Sequence, residues 1–288
     1  MKTIAFLVVL ATVFACNNDK SSTALVKSAE SKTAKVKRPG VMIPDVKYGI
    51  EGFYTGFFKP EKYDENREIF YNKITICIDS LDENMIYGYS VVAGNERPFS
   101  GSYTNAHGHY VVSVKEPGDN KYDGSFEFTV SKPGKLTGLW KANDTKLPVP
   151  ERSYELESRH YRYDPSLQLP EEINEDVVYG TFNEKTQKGE RLTSDAWNKN
   201  ASIELLKSSD VENMYKGDLE VLRNSIYARH GYSFKNLRMR TLFDTYADWY
   251  MPVTTDVTAL LTDIEKKNIE LIKRYEKHAT KYYDEFGR

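Results

Sequence analysis

Few side chains in this sequence stand in a pattern that suggests chemistry. Its 288 residues include 5 His and 2 Cys. His230 is the fourth residue of the string Tyr227-Ala228-Arg229-His230-Gly231. Histidine alone titrates near neutrality unaided, so His230 is the best candidate for proton transfer. It would need a nucleophile and a pocket. No Gly-rich phosphate loop, His-Glu-x-x-His run or Gly-x-Ser-x-Gly elbow accompanies it. His107 and His109 flank Gly108 in a turn and could touch a metal, but no third or fourth ligand is spaced nearby. Cys77 sits between Ile76 and Ile78. Reactive thiols need an exposed, electropositive setting, so this one is expected to be buried and inert. The 42 acids offer carboxylate pairs anywhere and single out none. No catalytic residue, metal or cofactor is assigned.

The remaining cysteine has a different setting. Lys2 is followed by an apolar run from Ile4 to Phe14, too short to span a bilayer, and then by Ala15-Cys16. A small residue at the cleavage point followed by cysteine resembles a bacterial lipobox. The resemblance implies a signal peptide over 1–15 and a lipid on Cys16, hence a bilayer as partner. Asn17 is not the Asp that retains lipoproteins in the inner membrane in enterobacterial sorting, so the outer membrane is expected. Residues 16–45 are rich in Ser, Lys, Thr and Ala and cannot bury enough apolar surface to order. They read as a flexible tether with a reach of roughly 30 Å.

From residue 46 to 162 the hydrophobic period is 2. Phe126, Phe128 and Val130 alternate with Ser125, Glu127 and Thr129, and Ile74, Ile76 and Ile78 with Thr75, Cys77 and Asp79. Met85, Tyr87, Tyr89 and Val91 continue the pattern. Turn residues punctuate about eight strands, near 50–58, 70–79, 85–94, 97–104, 109–116, 123–131, 135–142 and 152–160. Short links imply antiparallel neighbours, and a meander of this length avoids open edges by closing into a barrel. Glycines inside the strands, among them Gly88 and Gly138, suggest bulges or bends at its corners. Its aromatic residues either fill the interior or line a ligand mouth.

Residues 163–204 read as a connector containing an acidic run, Glu171-Glu172 to Glu175-Asp176, and a short strand near Val177–Gly180. From 205 to 288 the period becomes 3.6. Ser209 with Glu212, and Thr262 with Glu265, fit capping boxes. Asp218 can cap a helix with Leu219, Leu222 and Ile226 inward. That helix stops at Gly231, a natural left-handed C′ residue, with Tyr232 expected to pack on Tyr227. A second helix is expected over Met239–Trp249. A third runs to about Tyr282, with Ile264, Leu271, Ile272 and Tyr275 inward. Asn268 falls near that stripe and must find partners, expected on the backbone around Gly231 with Asn224 in a similar role. Arg223 and Arg229 are expected to pair with acids such as Asp244, Asp248 or Glu265.

The Tyr227–Gly231 string, with Leu222-Arg223-Asn224 before it, resembles the signature of the YARHG domain, a bacterial extracytoplasmic module. Tyr232-Ser233-Phe234, Phe243, Trp249-Tyr250 with Pro252, Leu261-Thr262 and Glu265 to Ile269 match the pattern in order. The tail to Arg288 resembles lipoproteins of flavobacterial type. The resemblance implies location and fold, with no chemistry attached. The resulting expectation is an α+β chain, an antiparallel β-meander closed as a small barrel followed by a helical YARHG domain. Its function is expected to be that of a non-catalytic envelope lipoprotein that binds an envelope protein, a glycan or a small apolar ligand. The alternatives are a small-ligand carrier using the barrel mouth and an envelope enzyme. Lys and Arg total 40 against 42 Asp and Glu, a net charge of −2 that provides no basic footprint for nucleic acid.

Overall fold

The structure is a computed structural model that describes residues 41–287, apart from 42, 64–65, 67–69, 132–133, 171–172 and 174–177. The signal peptide, Cys16, most of the tether and the acidic run lie outside the described residues. Eight antiparallel strands follow in chain order: β1 (Gly52–Lys62), β2 (Asn72–Asp82), β3 (Met85–Val92), β4 (Asn95–Ala106), β5 (His109–Lys115), β6 (Gly124–Ser131), β7 (Lys135–Ala142) and β8 (Glu151–Arg159). Each pairs with the next, and β1 pairs with β8, so the barrel is closed. The inward positions form one contiguous core, with Ile74, Ile76, Ile78, Phe126, Phe128, Leu136 and Leu156 all buried. Phe58, Trp140, Tyr154 and Phe126 pack ring against ring there. The aromatic residues therefore fill the interior.

Two details differ from expectation. Ladder register shifts fall at Pro60/Lys62 and Ile78/Ser80 and not at the glycines. Gly88 and Gly138 permit close approach instead. A Cβ at Gly88 would meet the Phe99 ring at 2.7 Å, and one at Gly138 the Phe128 Cβ at 2.6 Å. The phase of β3 is also inverted. Ile86 points into the barrel, whereas Met85 and Tyr87 are exposed and Tyr89 and Val91 are buried on the outer face. The cause is a second apolar surface. Phe53, Cys77, Tyr89 and Val91 cover the outside of β1–β3 and pack against Met251 and Val253 of the helical region. A strand buried on both faces loses the polar alternation that sets its phase. Cys77 is buried in this seam, where its thiol donates to Asp79 Oδ1 at 3.5 Å.

The same seam holds buried polar contacts made by Lys73. The Lys73 main-chain N–H donates to Asp244 Oδ2 at 2.9 Å, and its ammonium donates to the Ala247 carbonyl at 3.0 Å. Burial lowers the Lys73 pKa to about 8 and raises that of Asp244 to about 6. Gly94 N–H also donates to Ser233 Oγ at 2.9 Å. The barrel is thus docked through its wall.

Beyond β8 the expected connector is largely folded. It contains the hairpin β9 (Val178–Asn183) and β10 (Lys188–Arg191) and the short helix α1 (Asp195–Asn198). Tyr179, Leu192 and Trp197 join the core of the helical region. Then come α2 (Ser208–Val211), α3 (Lys216–Arg229), α4 (Leu237–Tyr246) and α5 (Asp263–Tyr282). Helix α3 is buried on two faces, through Val221 and Ala228 on one cluster and Leu219, Leu222 and Ile226 on another. The α5 capping box forms as expected between Thr262 and Glu265. The others shift. Asp210, not Glu212, accepts from the Lys207 N–H, and Asp218 lies inside the first turn of α3, where it accepts from Thr193 N–H and Oγ1. Ile264 is 39% exposed, because the face carrying Glu265, Asn268, Ile269 and Ile272 is the one turned inward.

Near one end of the barrel, Glu116 is buried and accepts from Gly124 N–H at 2.7 Å, Trp140 Nε1 at 3.3 Å and Ser90 Oγ at 3.2 Å. Burial raises its pKa to about 7, against the opposing pull of these donors. A carboxyl with a raised folded pKa binds more protons folded than unfolded, so stability falls as pH rises through that window. We expect the melting temperature to fall between pH 5 and 8. Glu116→Gln should flatten that slope, and thermal scans across this range check it.

Candidate functional site

The site is built around the stop of α3. Gly231 adopts φ +69 and donates to the Ala228 carbonyl at 2.9 Å, while Tyr232 N–H donates to the Tyr227 carbonyl at 3.0 Å. These are the two bonds of a Schellman cap. The rings of Tyr227 and Tyr232 meet with centroids 6.0 Å apart. The cap places His230 at the C-cap position, facing the start of α5.

There His230 Nε2 donates to Glu265 Oε2 at 2.8 Å, with both side chains buried. The same carboxylate accepts from Thr262 N–H at 2.8 Å and Tyr163 Oη at 3.0 Å. Burial pushes the Glu265 pKa up, but the bonds from His230 and Thr262 outweigh it and hold the group below its usual value. Glu265 is therefore an ionised acceptor, which requires the proton on His230 Nε2. The Tyr163 ring stacks on the imidazole at 4.2 Å and 9°. Among the described residues, the Glu265 carboxylate is the group that ties the end of α3, the start of α5 and the chain leaving β8 together.

The chain leaving β8 forms a strap over residues 160–169. Tyr161 Oη donates to the Arg229 carbonyl at 3.2 Å. Arg229 Nε donates to the Leu167 carbonyl at 2.6 Å, and Nη1 donates to Ser202 Oγ at 3.2 Å. Trp249 Nε1 donates to the Gln168 carbonyl at 2.7 Å. Arg229 is 2% exposed, and this burial lowers its pKa to about 10. It makes no direct ion pair with Asp244, Asp248 or Glu265, because backbone and hydroxyl acceptors already satisfy it. Arg159, at the end of β8, donates to the Asp248 carbonyl at 2.9 Å.

The remaining motif residues also bind the chain itself. Arg223 pairs with Glu276 of α5 at 2.9 Å, an acid that spacing alone did not single out. Asn224 Nδ2 donates to Glu220 O of its own helix at 2.9 Å. Asn268, 0% exposed, donates to the Ala201 and Glu204 carbonyls and accepts from Leu206 N–H at 2.9 Å. It therefore holds the 201–206 loop and does not reach the stop at Gly231; Asn224 does not reach it either. Tyr250 donates to the Tyr232 carbonyl at 2.7 Å, and Ala228 is buried where α3 meets the strap. Sequence spacing missed Tyr161 and Tyr163. The signal was present, since period 2 continues past β8 and turns both tyrosines onto the motif while His160 and Arg162 stay exposed.

A cleft of about 320 Å³ lies between strap and motif, lined by residues that include Arg159, Arg162, Asp164, Arg229, Tyr161 and Trp249. The exposed histidines His107 and His109 sit at the β4–β5 turn, with His107 at φ +55.

A Cβ at Gly231 would meet Val253 Cγ2 at 2.3 Å. Any L side chain there also carries the left-handed cost of about 1–2 kcal/mol. Gly231→Ala should lower unfolding stability by at least that amount in urea titration, and an unchanged midpoint would refute the role assigned to the cap.

No curated protein and no solved structure matches the chain. The YARHG domain family matches residues 195–277, a span that begins at α1 and so includes part of the expected connector. The helical region of this chain contains a YARHG domain.

Proposed function

We propose that the chain is a non-catalytic, lipid-anchored binding module of the bacterial cell envelope. The observation that carries this reading is the state of the motif. His230, Arg229 and Glu265 are 3%, 2% and 0% exposed and are bonded to one another's neighbourhood rather than aimed at an open site. A general acid or base must reach a substrate proton, and a histidine sealed by Tyr163 and Glu265 serves the fold instead. The filled barrel argues against a carrier that uses its mouth. What remains for function is the outer surface of the packed barrel and helical region, held near a membrane by the expected lipid on Cys16. Asn17 supports the outer membrane as the anchoring site.

Cys16→Ser should move the protein from the detergent-rich phase to the aqueous phase in detergent partition of whole cells. Equal partition of the two forms would defeat the lipid-anchor reading.

A further inference from the structure

The cleft between strap and motif has chemistry that the internal bonding leaves unused. Arg162 is exposed and makes no hydrogen bond among the described residues, because Tyr161 and Tyr163 on either side are held inward. Arg229 lines the cleft but is buried and held on Leu167 and Ser202, so it serves as wall and not as a ligand contact. Arg159 uses one nitrogen on the Asp248 carbonyl. Against these guanidinium groups stands Asp164. Its Oδ1 is taken by Ser166 N–H and Oγ, and its Oδ2 has no hydrogen bond among the described residues. Trp249 is half-buried with its indole N–H fixed on Gln168, so the ring is oriented before any ligand arrives.

Each feature narrows the ligand. A guanidinium fork pairs with a planar carboxylate through two parallel bonds. Asp164 repels a dianion such as phosphate but accepts from hydroxyls. A fixed indole face receives a ring with an apolar side, and fixing it beforehand lowers the ordering cost of binding. The volume lies at the lower end of small-ligand sites. One carboxylate, several hydroxyl donors and a ring with a C–H face describe an acidic sugar.

We infer that this cleft binds an acidic saccharide, with the ring carboxylate on Arg162, the pyranose face on Trp249 and a hydroxyl on Asp164. The inference rests on the reading of the chain as a binding module and names the ligand class of that module.

The test is a titration of the intact protein with digalacturonate, neutral digalactose and inorganic phosphate, followed by tryptophan fluorescence and calorimetry. Trp140 and Trp197 are 6% and 7% exposed, so a fluorescence change reports mainly on Trp249, and Trp249→Phe should abolish it. Digalacturonate should bind, and Arg162→Ala, at an exposed position, should weaken it by about tenfold or more, as loss of a charge-assisted pair does. Arg162→Lys should recover only part of the affinity. No digalacturonate binding, equal binding of digalactose or phosphate, or an unchanged affinity for Arg162→Ala would each overturn the acidic-sugar assignment. Binding of digalactose alone would overturn it while leaving the binding-module reading intact. Cleavage of the disaccharide would overturn the non-catalytic reading itself.

Discussion

One buried carboxylate organises the helical half of this molecule. Glu265 caps its own helix, receives His230 from the stop of α3 and receives Tyr163 from the strap leaving the barrel. A buried charge is costly unless every lone pair finds a donor, and removal of one partner then exposes the full penalty. The residues around it follow from that requirement. Gly231 turns the chain so that His230 faces α5, Tyr163 covers the imidazole, and Arg229 and Trp249 hold the strap that carries Tyr163. The motif string is thus a device for closing three segments on one acid.

The barrel depends on the same closure for its position. Its strap is pinned to the motif, and the outer wall of β1–β3 is buried against Met251 and Val253, just beyond Trp249 and Tyr250. The bond from the Lys73 main-chain N–H to Asp244 adds polar register to an otherwise apolar seam. The barrel and helical region therefore pack as one body along this seam, and the cleft at the strap is formed by both.

Much of the architecture was legible in the residues. Period 2 with regular turns located the barrel strands, and Thr262 with Glu265 located the start of α5. The Gly231 stop and the Tyr227–Tyr232 contact followed from cap chemistry alone. What was not legible depended on a second surface. The phase of β3 inverted because Tyr89 and Val91 serve the seam, and Ile264 turned outward because Glu265 and Asn268, polar residues, took the inner face. The partners of Asn268 and Arg229 could not be read because both bind main-chain carbonyls, which no side-chain pattern announces. The cleft was hidden for the same reason: Arg162 becomes available only because its flanking tyrosines are bonded elsewhere.

The central claim is that the motif histidine is an architectural partner of Glu265. The most direct measurement is a double-mutant cycle on His230→Ala and Glu265→Ala, read by urea unfolding. A buried, charge-assisted bond predicts a coupling of about 1.5–3 kcal/mol, with each single variant destabilised. A coupling below about 0.5 kcal/mol, within the additivity of independent sites, would contradict it.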